Sequence, residues 1–268
     1  MTRNHLPLTI RTFWLWPTIL IGGMVLLSLL PGGFAEKSRL LLHGLCAQTP
    51  GHTFSLGGQP LPFDARMTGI YTGVLGTAGF LAVRRRLLAQ QLPNPQLLVV
   101  LVLFVVAMGL DGFNSLFTDI GVWHPWETTN VTRVISGYLA GVTLTVAIVW
   151  LLSGTVFQVA DRQPMMESWS DLAGSVAPLL VVGLVLWVAP GWLYVPFSAL
   201  LVLSAWGVLG TLAFVTVLLM SRMDERVVRR RQLHIPGAVG LLLGLGVMLL
   251  LAFGRQWLEQ TLGIPSTL

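Results

Sequence analysis

The chain has 268 residues, of which 54% are hydrophobic and only 10% are charged. A soluble domain of this length needs more charge on its surface, so the composition excludes an ordinary soluble protein and predicts an integral membrane protein. The formal net charge of +5 does not indicate nucleic-acid binding, because the basic residues form short clusters beside apolar stretches. The single cysteine, Cys46, excludes an internal disulfide.

Apolar stretches long enough to cross a bilayer recur along the whole chain. The first follows Arg3 and Arg11 and is expected to be an uncleaved transmembrane helix. The fifth contains Pro178 and ends at Pro190, which predicts a kinked or partly re-entrant segment. We therefore expect an all-α polytopic transmembrane helix bundle, a single integral membrane domain over residues 1–268, with seven spans near 12–30, 67–83, 97–117, 132–153, 172–189, 197–220 and 236–254.

The distribution of basic residues predicts the orientation of the bundle. If the N-terminus is cytoplasmic, eleven of the 16 Lys and Arg residues lie inside, which favours an N-terminus inside and a C-terminus outside. Residues 31–66 then form an outer loop, in which residues 36–46 are predicted to be an amphipathic helix on the membrane interface. Its apolar face would hold Leu40, Leu41 and Leu45.

Polar residues fall on one face of each of two predicted spans. Asp111, Asn114, Ser115 and Thr118 share a face near the outer end of the third span. An aspartate on an apolar helix needs a partner or a wet cavity. Arg133, near the outer start of the fourth span, is one candidate partner and Arg66 is the other. On the fourth span, one face is formed by Asn130, Arg133, Ser136 and Gly137.

These faces are expected to meet the outer loop at one membrane depth, and two interpretations follow. One is a ligand site, with Arg66 and Arg133 as anion contacts that Asp111 and Asp64 orient. The other is a structural ion pair between Asp111 and Arg133 near the headgroups. The residues predicted to bind ligand are Asp64, Arg66, Tyr71, Asp111, Asn114, Asn130 and Arg133.

The sequence has two further features, glycine stripes and a weak set of candidate metal ligands. The stripes of Gly69, Gly73 and Gly76, of Gly137 and Gly141, and of Gly240 and Gly244 predict close helix packing. His43 and Cys46 are weak candidates for a metal site, with His52, Asp64 and His124 on the same side, but their spacing matches no ligand signature. The sequence therefore predicts neither a metal nor a cofactor.

Several elements in order resemble one family. The residues Cys46-Ala47-Gln48, Phe54, Gly58, Pro62, Asp64 to Tyr71 and Gly73 are similar to the signature CHQ followed by PxCxRCxGIYxG of domain-of-unknown-function family 2085, predicted prokaryotic membrane proteins. Asp111 to Asn114 resembles its DGxxQ element, and Asn130, Arg133, Gly137 and Gly141 resemble its NxxRxxxG stretch. The resemblance covers about residues 40–145 and leaves the last three spans, 172–254, outside it.

The resemblance implies a multi-pass protein of the inner (cytoplasmic) membrane, but no activity. In the family pattern three cysteines and a histidine look like a metal site, whereas here Ala47, Asp64 and Met67 replace all but Cys46. Three functions remain open: a binding site for a small polar or lipid-headgroup ligand, a non-catalytic accessory subunit of a larger membrane complex, and an enzyme acting on a lipid-linked substrate with Asp111 or Asp64 as general base. The expected partners are the lipid bilayer and, for the second, other membrane subunits; nucleic acid is not expected.

Overall fold

The computed structural model describes residues 15–29, 31–156, 161–221 and 233–263. The predicted inner positions of Arg3, Arg11 and the basic residues of 222–232 lie outside these ranges. The helices are α1 (Leu15–Leu29), α2 (Phe34–Leu42), α3 (Ala65–Val83), α4 (Pro95–Asp119), α5 (Asn130–Val156), α6 (Trp169–Val176), α7 (Pro178–Val188), α8 (Tyr194–Met220) and α9 (His234–Leu262). Two short strand pairs complete the fold: β1 (Ser55–Leu56) runs antiparallel to β2 (Gln59–Pro60), and β3 (Ala89–Gln91) runs parallel to β4 (Asp161–Pro164).

The all-α prediction is confirmed, and five helical stretches of the described chain are long and apolar enough to cross a membrane. They are Pro95–Asp119, Asn130–Thr155, Trp169–Val188, Gly191–Met220 and His234–Leu262. The other two predicted spans do not combine sufficient length with sufficient hydropathy. Helix α1 has 15 described residues, and α3 has 19 residues but includes Arg66 and several threonines. Because α3 packs against α5, α6, α7 and α8, much of it needs no lipid-facing apolar surface.

Contacts between helix ends define two ends of the bundle. We call the end that carries residues 31–64 the loop end; there the residue pairs His43 with Glu259, Gly57 with Ala189, and Tyr194 with Pro60 are in contact. At the opposite end the pairs are Arg86 with Asp171, Gln90 with Ser153, and Trp16 with His234. Successive long helices therefore run in alternating directions.

Glycines allow α3 and α5 to pack closely against each other. A side chain at Gly69 would meet the backbone of Val134 and Tyr138, and one at Gly141 would meet the carbonyl oxygen of Ile70. Backbones can approach this closely only where a Cβ is missing. Gly240 and Gly244 on α9 meet α8 in the same way, so the predicted packing role of the glycine stripes is confirmed.

The predicted kink at Pro178 is confirmed, whereas the predicted bounds of the helix over residues 36–46 are wrong. The fifth predicted span breaks into α6 and α7 immediately before Pro178, because a proline cannot donate to the helical ladder. The predicted helix over 36–46 is instead α2, which ends at Leu42. Gly44 lies in the turn that follows. Its Cα is so close to the backbone of Leu251 on α9 that a Cβ would collide with it. Leu41 and Leu42 are buried in the core against α8 and α9, so this face packs on protein.

Candidate functional site

An ion pair between Arg66 and Asp111 links α3 to α4 at the loop end. Arg66 Nη2 lies 2.7 Å from Asp111 Oδ2 and 3.2 Å from the Asp111 carbonyl oxygen. The Ser136 hydroxyl on α5 donates to the same Oδ2 at 3.0 Å. The start of α3, capped by Asp64, places Arg66 for this contact. Of the two partners left open for Asp111, the structure selects Arg66, so the interpretation of an Asp111–Arg133 pair is wrong.

Arg133 is held by hydroxyl and amide groups. Its Nη2 and Nε donate to Ser115 Oγ at 2.8 and 3.3 Å, and its Nη1 donates to Asn130 Oδ1 at 3.0 Å. Arg133 is 5% exposed, so these bonds replace water around a nearly buried guanidinium. The Ser136 hydroxyl contacts both the Arg133 carbonyl and the Asp111 carboxylate. The predicted meeting of the two polar helix faces is therefore confirmed.

The segment of residues 31–64 at the loop end reaches this cluster through a short turn at Pro50–His52. His52 Nε2 lies 3.1 Å from Arg133 Nη2 and 3.3 Å from Asp119 Oδ1 at the end of α4. The Asn130 side-chain amide donates to the Gly51 carbonyl oxygen at 3.3 Å. The side chains of His52 and Asp119 are 26% and 44% exposed, so these contacts lie at the boundary with solvent.

Asn114 lies beside the cluster but fixes a different loop. Its side-chain nitrogen donates to the Trp126 carbonyl oxygen and to the Thr128 hydroxyl, both at 2.7 Å. The Thr118 hydroxyl donates to the Asn114 carbonyl oxygen. Asn114 therefore anchors the connection between α4 and α5, a role that its helical spacing alone does not reveal.

The guanidinium of Arg66 is incompletely satisfied. Its Nη2 is taken by Asp111, whereas its Nε is buried with no acceptor among the described residues, and its Nη1 makes no hydrogen bond within them. The Arg66 side chain is 25% exposed. Gly112 is the neighbour on α4, and a Cβ there would lie 3.9 Å from Nη1. Because Gly112 has no side chain, Nη1 stays uncovered on that side.

Asp64 and Tyr71 do not contact the arginines. Asp64 accepts the Met67 amide at 2.9 Å and the Cys46 thiol at 3.2 Å, so its expected role in orienting Arg66 and Arg133 is corrected to capping of α3. Tyr71 is 7% exposed and stacks on Phe63 with ring centroids 4.7 Å apart, in the core cluster that also contains Cys46. Five residues beyond Arg66 on one helix, it points to a different face.

A second buried cluster joins α9 to the turn after α2. His43 Nε2 lies 2.9 Å from Glu259 Oε2, and Arg255 Nε donates to Glu259 Oε1 at 2.7 Å. Arg255 also donates to the carbonyl oxygens of His43 and Cys46. Gln48 completes the cluster by donating to the Arg39 and Pro62 carbonyl oxygens. Sequence reasoning assigned no site role to Gln48, Arg255 or Glu259; the i, i+4 spacing of Arg255 and Glu259 was the available signal.

The donor set of this region does not fit a metal ion of the family type. Burial and the Asp64 carboxylate raise the pKa of the Cys46 thiol to about 12, which disfavours the thiolate that a metal ion would bind. His43 is fully buried, and its ring nitrogens face Gln48 and Glu259. Within the described ranges no three His, Cys, Asp or Glu side chains form a group that could hold a metal ion. The Cys46–Asp64 hydrogen bond fastens the loop to α3 without one.

A third set of charges lies at the opposite end. Asp171 Oδ2 lies 2.8 Å from Arg86 Nη1, and Arg84 approaches the other oxygen at 3.3 Å. Asp171 also forms the capping box of α6 with Ser168. From the sequence, Arg84 and Arg86 indicated only the orientation of the bundle. Their pairing with Asp171, which is 85 residues from Arg86, could not be predicted.

An open cavity also lies at the loop end, away from Arg66. It has a volume of about 510 Å³ and lies between α2, the β1–β2 hairpin and the end of α9. Its polar lining residues are Glu36, Arg39, Gln59 and Gln256. This cavity is therefore not the ligand site expected around Arg66, Asp111 and Arg133.

Comparisons with known proteins cover part of the chain. No curated protein and no solved structure matches it. A family model matches residues 46–148, a region that contains Arg66, Asp111 and Arg133 but not His43 or Glu259. Together with the apolar helices, the match supports a multi-pass membrane protein in contact with the lipid bilayer. Residues 46–148 match the model of the family described as Predicted membrane protein (DUF2085), which confirms the resemblance that the sequence motifs indicated.

Proposed function

We propose that this protein binds the anionic headgroup of a membrane lipid at the loop end, with Arg66 as the main contact. The observation that carries the proposal is the incomplete Arg66 guanidinium, whose Nε is buried with no acceptor in the described part of the chain. A buried donor without a partner is costly, and an oxygen from a ligand is one way to complete it. Phosphate suits the remaining donors because guanidinium pairs with it through charge-assisted hydrogen bonds.

The surroundings favour a lipid as the source of that anion. On α4, next to Gly112, the side chains of Leu110, Phe113 and Leu116 are 57%, 65% and 50% exposed. A basic group at the polar end of an exposed apolar helix face lies where a headgroup would meet its acyl chains. Arg133 lies behind Arg66 and adds a second positive charge to the same cluster.

The membrane placement completes the proposal. We infer seven spans, formed by α1, α3, α4, α5, the pair α6 and α7, α8 and α9, in a cytoplasmic membrane with the N-terminus inside. The alternating helix directions and the positive-inside count support this arrangement. The loop end, with Arg66 and Asp111, would then face outward.

Lipid binding by the full-length protein in detergent tests the site. Native mass spectrometry with phosphatidylglycerol should show binding that phosphatidylcholine does not match. Arg66→Gln should weaken it about tenfold or more, the equivalent of one charge-assisted hydrogen bond. Arg85→Gln is the matched control, because Arg85 is an exposed arginine at the opposite end. Equal phosphatidylglycerol binding by Arg66→Gln and the unaltered protein would refute the proposal.

A further arm distinguishes a lipid from a free anion. Competition by inorganic phosphate at millimolar concentration would indicate that the headgroup alone is recognised. Resistance to phosphate, together with loss of binding in Arg66→Gln, would indicate that the acyl chains on α4 contribute as well.

Labelling of intact cells tests the orientation. Ser55→Cys and Arg85→Cys each place an exposed thiol, one at each end. A membrane-impermeant maleimide should label Ser55→Cys and should reach Arg85→Cys only after lysis. The reverse pattern would overturn the orientation and leave the binding site untouched.

The structure gives less support to the other two functions. The accessory-subunit hypothesis used glycine faces that meet partner helices, but Gly69, Gly141 and Gly244 meet helices of this same chain. The enzyme hypothesis needs a free general base. Asp111 is paired with Arg66 and Asp64 caps α3, so neither carboxylate is available as it stands.

A further inference from the structure

The Pro50–His52 turn is attached to the helix bundle mainly by polar contacts. None of its three residues is buried, and its ties to α4 and α5 run through His52 and the Gly51 carbonyl oxygen. A segment with so few buried apolar contacts opens at low cost in free energy. The strength of those polar ties therefore decides whether the turn covers Arg133.

One ring nitrogen of His52 lies between a hydrogen-bond donor and a hydrogen-bond acceptor. Nε2 lies 3.1 Å from the donor Arg133 Nη2 and 3.3 Å from the acceptor Asp119 Oδ1. In the neutral tautomer whose proton is on Nδ1, Nε2 accepts from Arg133 and presents its lone pair to the Asp119 carboxylate. In the imidazolium, which has a proton on both ring nitrogens, Nε2 donates to Asp119 and cannot accept from Arg133. The two states are mutually exclusive.

Protonation also changes the charge next to Arg133. The imidazolium would lie beside a guanidinium whose hydrogen bonds go to Ser115 and Asn130, with the Asp119 carboxylate 3.3 Å from His52 Nε2. Arg66, Asp111 and Asp64 also act electrostatically on Arg133, so the field around it contains both signs. Two cations in contact repel, and that repulsion acts on the loosely attached turn rather than on the helices.

We propose that His52 is a proton-operated latch on the anion site: unprotonated, it holds the Pro50–His52 turn over Arg133, and protonated, it transfers to Asp119 and uncovers Arg133. The latch regulates the headgroup site and in that respect rests on the proposed function. The movement of the turn itself does not depend on it. Acidification should therefore open the site to anionic lipid.

A spin label on the turn measures the latch without any anionic lipid. Gly51 is suitable because a Cβ there meets nothing within 4 Å, so Gly51→Cys can carry a nitroxide. The native Cys46 is buried and is not expected to label. In phosphatidylcholine nanodiscs, the mobility of the label should change as the pH falls from 8 to 5, the range in which histidines titrate, because the contact of the turn with Arg133 is exchanged for an ion pair with Asp119.

Two variants decide which group is responsible. His52→Gln in the Gly51→Cys background should remove the pH dependence of label mobility, since an amide does not titrate. His124→Gln is the matched control, because His124 titrates on the neighbouring 120–129 loop, where the Val122 carbonyl and Glu127 raise its pKa. Mobility that does not change with pH, or a change that survives in His52→Gln, would overturn the latch.

The regulatory claim needs a second measurement. Phosphatidylglycerol binding by the full-length protein should rise at least about fivefold between pH 8 and pH 5, the lower end of ordinary coupling between sites. That rise should be absent in His52→Gln. Binding that ignores pH while the label responds would overturn the regulation but not the proposed site, which Arg66→Gln tests at constant pH.

Discussion

The pairing of Asp111 with Arg66 can be measured as a coupling energy. At 2.7 Å, and with an effective dielectric constant of about 20, the gross attraction between the two charges is about 6 kcal/mol. Desolvation of Asp111, which is 5% exposed, removes most of that gain. The Arg66 side chain is one quarter exposed, so we expect a net coupling of about 2 kcal/mol in a double-mutant cycle of Asp111→Asn and Arg66→Gln.

The same cycle with Arg133 is the internal control. Arg133 donates to Ser115 and Asn130 rather than to Asp111, so the coupling of Asp111→Asn with Arg133→Gln should be smaller, at about 1 kcal/mol or less. The assay is reversible unfolding in mixed micelles, which gives the free energy of unfolding of each single and double variant. A larger coupling with Arg133 than with Arg66 would refute the pairing and the site built on it.

Three further outcomes follow from the packing and the buried groups. Gly137→Ala should lower the free energy of unfolding by about 2 kcal/mol, because its Cβ would meet the Arg66 carbonyl oxygen. Gly154→Ala on the same helix has open space and should be neutral or stabilising by up to about 1 kcal/mol. Chemical unfolding of the two variants compares these values. With its pKa raised to about 12, the Cys46 thiol should react with maleimide at pH 8 roughly a thousandfold more slowly than an ordinary thiol until the protein is unfolded. Glu259→Gln should cost about 3 kcal/mol of unfolding free energy, since it leaves the Arg255 guanidinium without its carboxylate; a loss below about 1 kcal/mol would contradict the buried cluster.

The fold was largely predictable because the bilayer restricts the alternatives. Runs of apolar residues of spanning length admit helices and little else, and glycine spacing on α3, α5 and α9 indicated which faces pack. Boundaries were less predictable where packing decided them. The helix expected to continue to Cys46 ends at Leu42 because Gly44 must lie directly against the α9 backbone, a contact between residues more than 200 positions apart.

The site was predictable only as far as helical spacing reaches. The i, i+3, i+4 pattern correctly placed Asp111 and Ser115 on one face and brought that face to Arg133. It could not decide between two arginines at similar depth, because that choice depends on the angle at which α3 and α4 pack on α5. Gln48 was missed for a similar reason. It contacts Arg39 and Pro62 from a left-handed backbone conformation (φ 55°) that no spacing rule predicts.

The contrast between the two charged clusters at the loop end is what separates structure from function in this protein. Around Glu259, both carboxylate oxygens have partners, His43 and Arg255, and the Arg255 guanidinium is shared with backbone carbonyl oxygens. Within the described structure no buried side-chain nitrogen of His43, Gln48 or Arg255 lacks a partner, so changes in this set should alter stability. Around Asp111 the carboxylate has partners but Arg66 keeps a buried Nε without an acceptor. An open set of this kind is where a ligand gains most, because it supplies the hydrogen bond that the fold leaves unmade.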